Sequence, residues 1–282
     1  MLDSKIEVTL NVLGDIDMTY RLYHFGLCCR NLHKSLDFYQ GLGCELIKIF
    51  DNEVHRVAFL NTGSKVVLEL IENPLMIEEK YFTKRKGSIN SISLKVENIY
   101  EAYKDMENKN MRIVWKPKEK EGIYQFGLLD EEGMLIKIFN YIQKRTYLSC
   151  RPMDNEKVML KELCLLTSQY EKALALYETA LGLTKKDVDQ KCSLRNRVSL
   201  LGNADESVNE SAGILIKEIP DIDNENLKGS FITERERQHV LKYGNGYEHL
   251  VFRRPLKDNS LDEEWIEDPD GNKIHIIYDL SL

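Results

Sequence analysis

The sequence predicts a mixed α+β fold built from a duplicated unit, and three observations carry that prediction. A phrase recurs 138 positions apart. Its first copy is Tyr23-His24-Phe25-Gly26-Leu27, running on to Ser35-Leu36-Asp37-Phe38-Tyr39. Its second is Lys161-Glu162-Leu163-Cys164-Leu165, running on to Ala173-Leu174-Ala175-Leu176-Tyr177. The same offset returns late in each half, where Asp130-Glu131-Glu132-Gly133 matches Asp268-Pro269-Asp270-Gly271. Between these landmarks, short apolar runs with strand character alternate with stretches of helical spacing. A fixed offset at both ends marks a duplicated domain.

The elements follow in order. Residues 22–29 are an apolar run fit for a buried strand. Asn31 is an N-cap candidate, and Leu32, Ser35, Leu36 and Tyr39 recur at helical spacing through residue 40. Gly41 and Gly43 end that helix. Strand-like runs occupy 44–50, 54–60 and 65–71, the last two joined by Asn61-Thr62-Gly63-Ser64. This is one βαβββ module. A second begins at Ser91, with a strand over 91–96, a helix over 98–108 and strands near 111–115, 123–129 and 134–140. Residues 143–157 are polar, contain Pro152 and read as a linker. Residues 1–19 have no counterpart in the second half and read as an arm. The expected division is therefore an arm over 1–19, a first domain over 20–142, the linker over 143–157 and a second domain over 158–282.

The second half repeats the plan with two edits. Residues 219–246 form an insertion, acidic at first and helical around 233–242. After the strand at 248–253, about a dozen residues reach Trp265, too few for a full helix and a further strand. His249 lies 158 positions after Ser91, whereas His275 lies 138 after Lys137. An insertion is cancelled by a deletion of the same size, so the last module is truncated.

Composition narrows the function classes. The chain has 282 residues, and 43% hydrophobic with 30% charged residues is an ordinary globular balance. A net charge of −7 gives no footprint for nucleic acid or an anionic membrane surface. No apolar run is long enough for a membrane span, and the N-terminus lacks the pattern of a secretory signal. The six cysteines include no CxxC pair, which predicts reduced thiols in a cytoplasmic protein. A monomer or homodimer acting on a small molecule is the expectation.

These landmarks resemble the vicinal oxygen chelate superfamily, which includes glyoxalase I, extradiol dioxygenases and bleomycin-resistance proteins. The resemblance rests on His24 in the opening strand, Phe38-Tyr39 and Leu42-Gly43, then Tyr177 and Leu181-Gly182. It rests also on Asp268-Pro269-Asp270-Gly271-Asn272, which matches the family turn fully, and Asp130-Glu131-Glu132-Gly133, which matches it loosely. It covers about residues 20–280 and implies tandem domains of paired βαβββ modules around open, cup-shaped sheets. In the turn, proline fixes φ and glycine supplies the positive φ that aims the next strand.

The resemblance also implies where a metal is held: on the first, fourth, fifth and eighth strands of a domain. In the first half those positions are His24, Glu69, Ser91 and Lys137. In the second they are Glu162, Ile216 (with Glu218 two residues on), His249 and His275. Paired within each half, the first site contains a lysine that repels a cation. The second offers Glu162, His249 and His275, the composition of a non-haem iron facial triad. Pairing exchanged between halves, as in glyoxalase I, gathers His24, Glu69, His249 and His275 in one site. It leaves Glu162, Ile216, Ser91 and Lys137 in the other. The exchanged pairing is preferred because it separates usable ligands from unusable ones.

Three histidines and a glutamate suit Zn, Ni, Co, Fe or Mn as a divalent ion. In that site Glu69 is the sole carboxylate and the candidate catalytic base. Arg253, Tyr247 and Trp265, with Tyr278, flank the ligand strands as candidate substrate contacts. The leading expectation is a lyase or isomerase of glyoxalase I type. It would act on a small oxygen-chelating substrate through a metal-bound enediolate at one site per chain. The alternatives are an iron dioxygenase using Glu162, His249 and His275, and a binding protein of bleomycin-resistance type.

Overall fold

The computed structural model describes residues 20–51, 56–72, 89–120, 122–141, 158–186, 197–203, 212–218, 247–255 and 264–279. The expected arm over 1–19, linker over 143–157, insertion over 219–246 and its helix lie outside the described residues.

The first half opens with β1 (Arg21–Cys29), helix α1 (Leu32–Gly41), β2 (Glu45–Asp51), β3 (Arg56–Asn61) and β4 (Val67–Glu72). Its second module runs through β5 (Ile89–Lys95), α2 (Ile99–Asn108), β6 (Ile113–Lys120), β7 (Ile123–Leu129) and β8 (Leu135–Tyr141). The helix starts are set by side chains: Asn31 Oδ1 accepts from the Lys34 N–H, and Asn98 Oδ1 from Tyr100 and Glu101. Strand β6 outruns the expected 111–115 despite Pro117. It is the outermost strand of its sheet, and its register slips between Trp115 and Lys118, so the missing N–H costs no ladder bond.

The second half contributes β9 (Met159–Thr167), α3 (Tyr170–Ala175) continuing into a π-helical turn over Leu176–Ala180, β10 (Thr184–Lys186), β11 (Val198–Gly202) and β12 (Gly213–Glu218). It closes with β13 (Tyr247–Pro255), β14 (Glu264–Glu267) and β15 (Lys273–Asp279). Among the described residues, the last module thus has a short strand where its counterpart has two longer ones.

The sheets do not follow the halves. One has the order β14-β15-β13-β1-β4-β3-β2, and the other β10-β11-β12-β9-β5-β8-β7-β6. Each takes one module from each half. The joins are β1 against β13 and β9 against β5, both antiparallel, and the same irregularities occur at each. Tyr23 is bulged between Leu22 and His24 as Lys161 is between Leu160 and Glu162, so the repeat conserves a bulge as well as a sequence.

Alternation divides the side chains by face. Phe25, Leu27 and Cys29 of β1, Leu68 and Leu70 of β4, Leu250 and Phe252 of β13, and Ile274 and Ile276 of β15 enter one connected core. Leu163 and Leu165 of β9 and Ile214 and Ile216 of β12 enter it from the other sheet. The opposite faces of the two sheets carry the polar residues.

In both halves a buried tyrosine ties the first module of its half to the turn before its last strand. Tyr39 Oη donates to Asp130 Oδ2 at 2.8 Å, and Tyr177 Oη to Asp268 Oδ2 at 3.0 Å. Each aspartate also accepts two backbone N–H groups of its own turn, and Gly133 and Gly271 take the positive φ. The sequence landmarks are therefore two ends of one hydrogen bond.

Burial pushes the Asp130 carboxyl up to about 6 from 3.8, with Tyr39 and the turn N–H groups opposing the rise. A raised folded-state value for an acid means the folded chain holds a proton the unfolded chain has lost. Stability from this group is full below about pH 4 and falls as pH rises through about 6. Relative to an Asp130→Asn variant, the wild type is expected to lose about 3 kcal/mol between pH 4 and pH 7. Denaturant titrations at the two pH values measure it.

Candidate metal centre

The exchanged sheet sets the register of the candidate ligands. His24 pairs with Val67 and with Val251, and Val251 pairs in turn with His275. One row across the sheet is therefore His275–Val251–His24–Val67. The next is Lys273–His249–Gly26–Glu69. All four candidate positions lie on the face away from the core, since their strand neighbours fill the core. Gly26 stands between the His249 and Glu69 positions and puts no side chain between them. Val251 is fully buried between the His24 and His275 positions.

His24 Nε2 lies 3.3 Å from Glu69 Oε2, with the two side chains 13% and 14% exposed. Two donors sharing a cation through bonds of about 2.1 Å stand about 3.0–3.4 Å apart. An imidazole and a carboxylate in this relation fit a divalent transition metal. Aromatic rings surround the pair. Tyr23 meets the His24 ring edge-on at 5.2 Å and Phe59 does so at 6.2 Å, with Phe50 beyond Phe59. Among the described residues, no group of three or more His, Cys, Asp or Glu side chains is gathered as a ready metal site.

The flanking candidates separate. The Arg253 guanidinium lies 3.7 Å from the Tyr23 ring centroid, which sets it beside His24 through that ring. Trp265 pairs with His275 across β14 and β15, and the rings stack at 4.1 Å and 4°. Its stacking partner is thus a candidate ligand, and one face of the indole is taken. Tyr247 pairs with core-facing Leu27, so its position is on the opposite face from His24. His33 is a surface residue 3.0 Å from Asp51.

Glu162 lies on the other sheet, on its non-core face, whereas the strands of His249 and His275 belong to the first sheet. Its row reads Lys137–Ser93–Glu162–Gly213. Burial raises its carboxyl, while Lys137 and the Ser93 hydroxyl act to lower it. The adjacent row reads Leu135–Ser91–Cys164–Leu215. The fourth-strand counterpart of Glu69 is therefore Leu215 rather than Ile216, which points into the core. In the triad of Glu162, His249 and His275 the carboxylate stands on a different sheet from the two histidine strands. Gly26, Phe59 and Tyr23 were missed in the sequence. Gly26 sits inside the repeated phrase where the second copy has Cys164, and that difference was the available signal.

The sequence model of the Glyoxalase/Bleomycin resistance protein/Dioxygenase superfamily matches residues 23–126. No curated protein matches the chain in sequence. Among solved structures, glyoxalase I from Zea mays superposes with a TM-score of 0.64 at 17% identity, over 93% of each chain. A putative dioxygenase from Bacillus subtilis superposes with a TM-score of 0.58 at 14% identity, over 94% of this chain and 87% of that one. At such identities the likeness is one of fold. Residues 23–126 carry the pattern of the glyoxalase, bleomycin-resistance and dioxygenase superfamily, the vicinal oxygen chelate proteins, and the chain as a whole has that superfamily's fold.

Proposed function

We propose that the chain is a divalent-metal-dependent lyase or isomerase of glyoxalase I type with one site, held by His24, Glu69, His249 and His275. The observation that carries this reading is the His24–Glu69 approach on a sheet shared with the His249 and His275 strands. When bound, a divalent ion supplies Lewis acidity toward adjacent oxygens of a small substrate. Three neutral imidazoles and one carboxylate leave the loaded site at about +1, which favours an anionic oxygen.

Glu69 takes the proton from the carbon next to the substrate carbonyl and returns it to the neighbouring carbon. It is the sole carboxylate of the set, and so the sole group there able to move a proton as a base. Phe59 and Tyr23 keep water from the His24–Glu69 pair, and Arg253, backed by Tyr23, offers a cation to an acidic part of the substrate.

The test is turnover of the hemithioacetal of an α-ketoaldehyde by metal-loaded protein. Glu69→Gln, which removes the base and a metal donor together, is expected to lower turnover by at least about a hundredfold. Oxygen consumption with a catechol, and no isomerisation, would replace this reading with a dioxygenase.

A further inference from the structure

We propose that Trp265 is a positioning residue for His275, standing in for a wall that the truncated last module has lost; this rests on the metal reading above. In the first half the residue paired with Lys137 on the neighbouring strand is Gly127. Gly127 pairs in turn with Trp115 of β6, and the Trp115 indole lies over it so closely that a Cβ at 127 would sit 2.4 Å from the ring. An indole from the outermost strand thus covers the position beside Lys137.

In the second half β14 is itself outermost among the described strands of its sheet. The residue paired with His275 there is Trp265. The indole now springs from the position glycine holds in the other half, and it lies flat on the imidazole at 4.1 Å and 4°. The two halves place an indole in the same region by different routes, one across a glycine and one directly.

A parallel stack does what an outer strand would do for a ligand on the penultimate strand. The torsion that turns an imidazole about its Cβ–Cγ bond is broad. A flat neighbour leaves it two orientations in one plane and denies that flank to water. Metal-ligating histidines depend on outer partners that fix the ring's orientation, and losing a hydrogen-bonding one costs about 10–100-fold in affinity. Trp265 is 53% exposed, so its loss removes this contact without opening the core.

The experiment uses full-length protein and Co²⁺ in competition with a chromophoric chelator. Trp265→Leu keeps an apolar side chain without a plane, and it is expected to weaken Co²⁺ binding about tenfold. Trp265→Phe restores affinity to within about twofold, and the metal-free melting temperature changes little in either. With two tryptophans in the chain, Trp115→Phe leaves Trp265 as the sole indole, and Co²⁺ is expected to quench its emission. Equal Co²⁺ affinity in wild type and Trp265→Leu overturns the role of Trp265 alone. No Co²⁺ uptake by the wild type overturns the metal reading, and the role of Trp265 with it.

Discussion

Replacing His24 by Ala or Glu69 by Gln is expected to strip the protein of divalent metal. The two side chains approach to 3.3 Å, each mostly buried, and either change leaves a three-donor set at most. Losing a direct ligand is expected to cost more than the roughly 10–100-fold that follows loss of an outer contact. Glu69→Gln also takes away the sole negative charge of the set, so its effect exceeds that of a neutral donor. Neither residue belongs to the core cluster, so the metal-free variants keep the melting temperature of metal-free wild type. Metal content after dialysis should fall from about one per chain to below about a tenth. A fold that collapses together with the metal would mean that the pair is structural.

The second large effect is expected at Asp268. Its carboxylate accepts from the Asp270 and Asn272 N–H groups, from Asn272 Nδ2 at 2.6 Å and from Tyr177 Oη at 3.0 Å. Asp268→Ala leaves four donors without that acceptor at a site 6% exposed. At about 1–3 kcal/mol for a buried donor left unmade, partly relieved by water, the loss should reach about 3–5 kcal/mol in denaturant unfolding. Tyr177→Phe, which removes one of these bonds, should cost about 1–2 kcal/mol. The turn launches β15, which carries His275, so both variants should also weaken metal binding. Tyr39→Phe breaks the equivalent bond to Asp130, ahead of the strand carrying Lys137. It should cost similar stability and leave metal affinity alone.

Most of the fold was legible because the repeat fixes local and long-range features at once. Helical spacing, with Asn31 as a cap for the first, located α1 and α2 to within a residue. The turn glycines located the last strands. The Tyr–Asp bonds explain why Phe38-Tyr39 and Asp130 recur together, although nothing local in the sequence shows that they touch. Strand partners across the halves were less accessible. Pairing within a half and pairing between halves satisfy the same alternation, so only the ligand inventory favoured exchange. The fourth strand of the second half was misaligned by one residue. The alternating run Gly213–Glu218 offers two faces, and chain lengths on either side of it differ between halves. The family position fell on Ile216, with Glu218 two residues on, while the register with Cys164 selects Leu215. Trp265 read as a substrate contact because its stacking partner lies across the β14–β15 pair.

The most direct test of the exchanged site is metal content in His24→Ala beside Glu162→Ala. The two residues hold the same place in the repeat and lie on different sheets. Glu162→Ala is expected to keep about one metal per chain and His24→Ala almost none. Metal retained by His24→Ala and lost by Glu162→Ala would contradict it.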